Sequence, residues 1–409
     1  MSHSTARSFL VPVILTSLLV ISCKKGKKEE KGVLPAEMKA PVAKEPDATM
    51  KRVAGMKKPL KKFPEKAPVE RKEPKSTLRP YEKALAFESD GMKIPGTLAL
   101  PQKANGPVPA VILIHGSGPQ NRDEHIVQAG YTFVPFKELS DVLVKAGYAV
   151  YRYDKRSFVI RPKLKKLIKA KKKLKIDELL QTLTQKQFMK DAQAAVQMVK
   201  KQAGVDAKRI ILVGHSHAGL YMETLDRALS PSAIVLIAPE ILPFKEHLLA
   251  QARLQFEQVK KSEAKLKGSG LYGISKPKIE KQKKMYQKLI KAYETAFKQM
   301  KEGTFPKKGK VLGLSLEEFN KTDVLSQKLP QKYVALKPPV LYINGKNDWI
   351  CPVSAVERYK KQLAAKKNLK VVILEDCNHL MYTNTPIAFS EQLAKAVTGW
   401  LKSAVPPTK

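Results

Sequence analysis

Midway along the chain an apolar run, Ile210-Ile211-Leu212-Val213, ends in Gly214-His215-Ser216-His217-Ala218-Gly219 and continues into Leu220-Tyr221. A run of this kind followed by Gly-x-Ser-x-Ala-Gly predicts a strand, a sharp turn and a helix, with the Ser216 hydroxyl projecting above a sheet. The start of the helix adds an N–H and the positive end of its dipole beside any negative charge that develops there. Ser216 is therefore a candidate nucleophile. A hydroxyl attacks only if a base takes its proton and a third group orients the base. His379 closes Leu374-Glu375-Asp376-Cys377-Asn378-His379, and Asp348 closes Asn344-Gly345-Lys346-Asn347-Asp348; each follows an apolar run that reads as a strand. Three such residues beyond the carboxyl ends of three strands can converge, and the chemistry would be acyl transfer.

A tetrahedral intermediate also needs N–H donors for its anionic oxygen. The loop His115-Gly116-Ser117-Gly118-Pro119, after the run Ala110 to Ile114, is small enough for close backbone approach. The amides of Ser117 and His217 are the expected donors. The His115 side chain reads as structural. His215 and His217 flank the nucleophile on a tight turn and should point away from its hydroxyl, so neither is the expected base. Ala218 stands where a second Gly is usual, the least intrusive replacement for it.

The elements that must position these groups alternate. Ala110 to Ile114, Tyr148 to Tyr151, Ile210 to Val213, Ile234 to Ile237, Val340 to Ile343 and Val371 to Leu374 read as strands, and their continuous Val/Ile/Leu content suits parallel strands covered on both faces. Helices are expected at Pro135–Lys145, Lys186–Gln202, Ser216–Leu229, Ser354–Ala365 and Ala388–Lys402. Ser89-Asp90-Gly91 separates two further runs as a hairpin turn. The pattern predicts an α/β protein with a doubly wound, mostly parallel sheet. Its core would span 81–240 and 338–405, with a Lys-rich helical cap insertion at 241–337. Arg161 to Lys175 reads either as a solvated helix or as a basic helix resting on a membrane surface.

The beginning of the chain bears on location. Arg7 followed by the apolar run Phe9 to Ile21 has the length of a signal-peptide core, too short to cross a bilayer as a helix. It ends in Val20-Ile21-Ser22-Cys23, which resembles the bacterial lipobox, so residues 1–23 read as a lipoprotein signal with Cys23 as the lipidated residue; the other reading is an ordinary signal in which Cys23 is incidental. Residues 24–80 hold repeated Pro among Lys, Glu and Ala, a composition that buries too little to offset ordering and reads as a disordered, extended tether. The chain carries 76 Lys+Arg against 37 Asp+Glu, a net charge of +39. Such an excess attracts polyanions. With an export signal, anionic head groups or an anionic envelope polymer fit as partners and specific nucleic acid does not; a plain soluble spacer is the alternative.

Four stretches carry a family resemblance: His115-Gly116-Ser117-Gly118-Pro119-Gln120-Asn121-Arg122-Asp123, Tyr151-Arg152-Tyr153-Asp154-Lys155-Arg156, and the motifs Gly345-x-x-Asp348 and Asn378-His379-Leu380. Together with the serine turn they resemble the secreted bacterial α/β-hydrolases related to dienelactone hydrolases and prolyl-oligopeptidase-type domains, among them exported carboxylesterases. The resemblance runs from about Tyr81 to Leu401. It implies the α/β-hydrolase fold, with Ser216 as nucleophile, Asp348 as acid and His379 as base. It further implies hydrolysis of small-molecule carboxylic esters, sometimes amides, with no metal or cofactor; the export signal and lipobox would make this a cell-envelope lipoprotein anchored to the membrane. Two departures stand out: Ala218, and Ser157 where the family has Gly. A serine peptidase acting on short peptides, and a non-catalytic surface lipoprotein binding polyanions, are the alternatives. If Asp348 and His379 meet, Cys351 and Cys377 are brought near each other. They then either form a disulfide or serve as two small buried apolar side chains.

Overall fold

A computed structural model describes residues 78–408, apart from 129–130, 268–271, 307–308 and 312–313. The signal segment, Cys23 and nearly all of the tether lie outside the described residues.

Asp90 and Gly91 both adopt positive φ, 47° and 67°. They close a tight hairpin between β1 (Glu82–Ser89) and β2 (Met92–Ala99). The apolar runs become β3 (Val108–Ile114), β4 (Ala149–Tyr153), β5 (Val205–His215), β6 (Ala233–Ile237), β7 (Val340–Gly345) and β8 (Leu369–Leu374). These form one eight-stranded sheet in the order β1-β2-β4-β3-β5-β6-β7-β8. β1 with β2 and β2 with β4 are antiparallel; from β4 onward every neighbour is parallel. Every residue of β3, β6 and β7 is buried, which is why these strands read as unbroken apolar runs rather than alternating ones.

Alternate side chains of the same strands feed two cores. Ile112, Leu212, Leu236 and Tyr342 pack on one face against helices Gln185–Val199, Met222–Leu229 and Val353–Ala364. Val111, Val213, Val235 and Ile343 pack on the other against helices Pro135–Lys145 and Glu391–Ala404. Each fully buried branched side chain contributes roughly 1.5–3 kcal/mol relative to exposure, so both faces hold the carboxyl edges of the strands in fixed relation.

Two local expectations differ from what forms. The helix expected from Ser216 starts as a tight 3-10 turn, Ser216–Tyr221, and becomes α-helical at Met222. Arg161 to Lys175 does not make one helix: Arg161–Lys169 and Lys173–Gln181 are separate, with Lys171 at φ 53° between them. The first of the two buries none of its residues, so nothing apolar holds the Lys-rich stretch in one continuous helix.

Between β6 and β7 lie two long helices, Phe244–Lys267 and Tyr272–Glu302, then Leu316–Ser326 and Leu329–Ala335. They bury apolar groups of their own, including Phe244, Leu248, Tyr293 and Phe319 in one cluster and Val259, Ile279 and Tyr286 in another. The first helix starts beside the serine turn, with the Phe244 ring 6.4 Å from that of His217. Among the described residues no helix is long and apolar enough to cross a membrane.

Candidate active site

Ser216 sits at φ +55°, in the left-handed region. A non-glycine residue there costs about 1–2 kcal/mol, and the fold holds it because the chain must turn from β5 into the next helix within one residue. Crowding explains the small neighbours. A side chain on Gly214 would meet Met222 Cε at 2.2 Å and Ala218 Cβ at 3.2 Å. One on Gly219 would meet the Tyr333 hydroxyl at 2.5 Å and Pro239 Cβ at 3.0 Å. Ala218 itself is fully buried and accommodated.

The candidate acid and base, Asp348 and His379, arrive from adjacent strands. β7 and β8 pair in parallel, with Gly345 opposite Leu374, so their carboxyl ends are level. Beyond them Lys346 N donates to Leu374 O at 2.8 Å and Asn347 N to Cys377 O at 3.1 Å. Any side chain at Gly345 would fall 1.9 Å from the Cys377 carbonyl oxygen; this glycine is what lets the two loops touch. Asn378 shapes the second loop, its Oδ1 accepting from the amides of Leu380 at 2.9 Å and Tyr382 at 3.1 Å.

The result is a continuous hydrogen-bonded chain. The Ser216 hydroxyl lies 3.0 Å from His379 Nε2, and His379 Nδ1 lies 2.9 Å from Asp348 Oδ2 and 3.1 Å from Oδ1. Asp348 Oδ1 also accepts from the amides of Ile350 and Cys351, each at 2.8 Å. All three side chains are buried. The carboxylate fixes the proton on Nδ1, leaving Nε2 to accept from the serine. Gly116 abuts the same hydroxyl: a side chain there would lie 2.9 Å from Ser216 Cβ and 3.4 Å from Oγ. The Ser117 amide therefore follows a residue in contact with the serine, and the His217 amide is the next one along the turn.

The other histidines have different work. His115 Nε2 donates to Asn121 O at 3.0 Å, and burial pushes its pKa down to about 4, so it is neutral. His217 Nδ1 lies 2.7 Å from Glu240 Oε1. Burial works to raise the Glu240 pKa, but His217 and His247 hold it at about 2. His215 Nε2 donates to the His379 carbonyl at 2.9 Å, while Nδ1 lies 3.2 Å from Glu124 Oε1. Burial disfavours charge on His215, yet Glu124 beside it keeps its pKa above the ordinary imidazole value. This buried pair ties the backbone of the candidate base to the loop after β3. Sequence reasoning missed Glu124; the available signal was an acid directly after Asn121-Arg122-Asp123, in a loop already singled out for its small residues.

The disulfide between Cys351 and Cys377 does not form: both are free, buried thiols. Their loops do meet, but the side chains turn to different neighbours. The Cys351 thiol lies on the side of Asp348 and His379, its sulfur within 4.8 Å of their carboxylate oxygen and ring nitrogen, whereas the Cys377 thiol donates to Asn378 O at 3.6 Å and packs with Leu374 and Met381 in the core. Donor atoms of Asp348, Cys351 and His379 lie within 4.8 Å of one another. That set could hold a soft divalent ion, though the same Asp348 and His379 atoms already serve the chain to Ser216.

A sequence profile of the alpha/beta hydrolase family matches residues 111–392. The chain belongs to this family. Esterase EstD of Thermotoga maritima is 27% identical over 303 residues, which cover 73% of the present hydrolase and 61% of that protein. Among solved structures, Est1E from Butyrivibrio proteoclasticus superposes with a TM-score of 0.45 at 16% identity, covering 79% of the hydrolase and 98% of Est1E. The acylaminoacyl peptidase of Pyrococcus horikoshii gives 0.45 at 13% identity, covering 78% of the hydrolase and 41% of the peptidase.

Proposed function

We propose that this hydrolase cleaves carboxylic esters of small molecules through a Ser216-His379-Asp348 triad and an acyl-enzyme. The observation that carries the reading is the hydrogen-bonded chain of 3.0 Å and 2.9 Å from Ser216 through His379 to Asp348. The likeness to an esterase supports ester over amide as the substrate bond. His379 takes the Ser216 proton as the oxygen attacks the carbonyl, and the amides of Ser117 and His217 hold the resulting oxyanion. The imidazolium then protonates the leaving alcohol, and water, activated by the same histidine, releases the acid.

A fluorophosphonate probe should label the wild type and not Ser216→Ala, which should also lose p-nitrophenyl ester turnover by about 10⁴-fold or more. Equal labelling of both proteins would end the assignment. Faster turnover of aminoacyl amides than of aryl esters would move it to a peptidase.

Export and lipidation at Cys23 belong to the same proposal, supported by the Phe9 to Ile21 run and the Val20–Cys23 box. The net charge of +39 favours attraction to anionic head groups or envelope polymer. Incorporation of radiolabelled palmitate by the wild type but not by Cys23→Ala checks the anchor.

A further inference from the structure

The segment at the end of β4 grips the loop that runs from His115 to Arg122. Asp154 takes the Arg122 guanidinium in a bidentate pair at 3.0 and 2.9 Å and the Arg122 amide at 2.8 Å. The Lys155 amide donates to Gln120 O at 3.0 Å, the Ser157 hydroxyl to Gly118 O at 3.1 Å, and Lys155 Nζ to Gly116 O. Alternate carbonyls of the loop, at 116, 118 and 120, are thus held by Lys155 and Ser157.

Lys155 is an unusual residue to bury. It is 5% exposed, its amine lies 4.6 Å from the centre of the Phe188 ring, and no carboxylate among the described residues is within ion-pairing distance of it. The two nearby acids are engaged elsewhere, Asp191 with Arg156 and Glu124 with His215. An ammonium buried without a carboxylate is costly. Here its hydrogen bond goes to the carbonyl of the peptide whose N–H belongs to Ser117. In a trans peptide the C=O and N–H point in opposite directions, so an amine that fixes the Gly116 carbonyl also fixes the direction of the Ser117 N–H.

We propose that Lys155 is a positioning residue for ester hydrolysis: with Ser157 it locks the Gly116–Gly118 backbone so that the Ser117 amide stays aimed at the oxyanion, and its charge, one peptide away, strengthens that donor. This rests on the serine-hydrolase reading above. It also accounts for Ser157, where the family resemblance leads one to expect Gly: its hydroxyl supplies the middle grip.

The protonated amine is the competent form, and burial pushes its pKa down to about 8, with Glu124 and Asp191 opposing. The groups facing it are Glu124 and His115 from the loop after β3, Asp191 from helix Gln185–Val199, Tyr153 from β4, Tyr221 from the serine turn, and the neighbouring Arg156. His115 is already neutral, and burial raises both tyrosines.

The test is kcat and KM for a p-nitrophenyl ester across pH, with fluorophosphonate labelling alongside. Wild-type kcat should fall as pH rises through about 8. Loss of one oxyanion donor costs about 10²–10³ in kcat, so loosening one by Lys155→Met should cost about 30-fold, with KM changed by less than about threefold. The variant should lack the alkaline fall, and Lys155→Arg, charged throughout, should regain part of kcat and also lack it. A Lys155→Met kcat within about threefold of an active, labelled wild type overturns the proposal while leaving the hydrolase reading intact. If Lys155→Met does not fold, Lys155→Gln takes its place, and a kcat within about threefold of wild type overturns the proposal equally. A wild type with neither turnover nor labelling sinks both readings.

Discussion

Asp348→Asn is expected to lower kcat for an aryl ester by about 10⁴ while leaving the folded structure in place. Asp348 Oδ1 accepts from the amides of Ile350 and Cys351, and Oδ2 faces His379 Nδ1 at 2.9 Å. In the variant the amide oxygen must serve the two backbone donors, which places the NH2 group against Nδ1. The imidazole then carries its proton on Nε2, 3.0 Å from the serine hydroxyl, where it can donate but not accept. Shape and hydrogen-bond count are preserved and only the tautomer is wrong, so the loss should appear in kcat and in the rate of fluorophosphonate labelling, not in the thermal transition. A variant with kcat within about tenfold of wild type would mean that the carboxylate does not set the tautomer.

The largest expected effect on stability comes from a residue outside the Ser216-His379-Asp348 chain. Arg152 is 1% exposed and forms ion pairs with Glu82 of β1 and Asp123 of the loop after β3. Arg152→Met removes the cation and strands two buried carboxylates, which should cost about 3–5 kcal/mol. Urea denaturation should show this as a lower midpoint at an unchanged slope. Combining Arg152→Met with Glu82→Gln and Asp123→Asn should recover much of the loss, because the penalty lies in the uncompensated charges rather than in a missing attraction. If the single variant melts as the wild type does, the cluster is not holding the hairpin to the sheet.

Arg152, Asp154, Lys155 and Arg156 also mark where reading the sequence stopped short. As a polar run after an apolar one they look like an exposed loop, yet all four are buried. Each finds a partner distant in the chain: Glu82 and Asp123, Arg122, Gly116, and Asp191. Local pattern carries no trace of such pairings, since it reports the period of apolar side chains and not the direction in which a charged one folds back. The two thiols fail to pair for the same reason. Proximity of their loops followed from Asp348 and His379 meeting, but a disulfide depends on where the side chains go, and Cys351 sits beside Asp348 and His379 whereas Cys377 packs in the core.

What the sequence determined alone was the sheet and which residues stand along its carboxyl edge. Continuous Val, Ile and Leu runs alternating with helical stretches suit parallel strands covered on both faces, and right-handed crossovers then bring every carboxyl end to one side. Ser, Asp and His residues placed just after such strands lie along that edge, and Ser216, Asp348 and His379 do meet there. Tertiary structure alone decided how that edge is held. The Glu124–His215 pair behind His379, the amine of Lys155 under Gly116 and the contact that Gly345 permits are all set by which buried polar groups can satisfy one another across long stretches of chain, and burial exists only once the chain has folded.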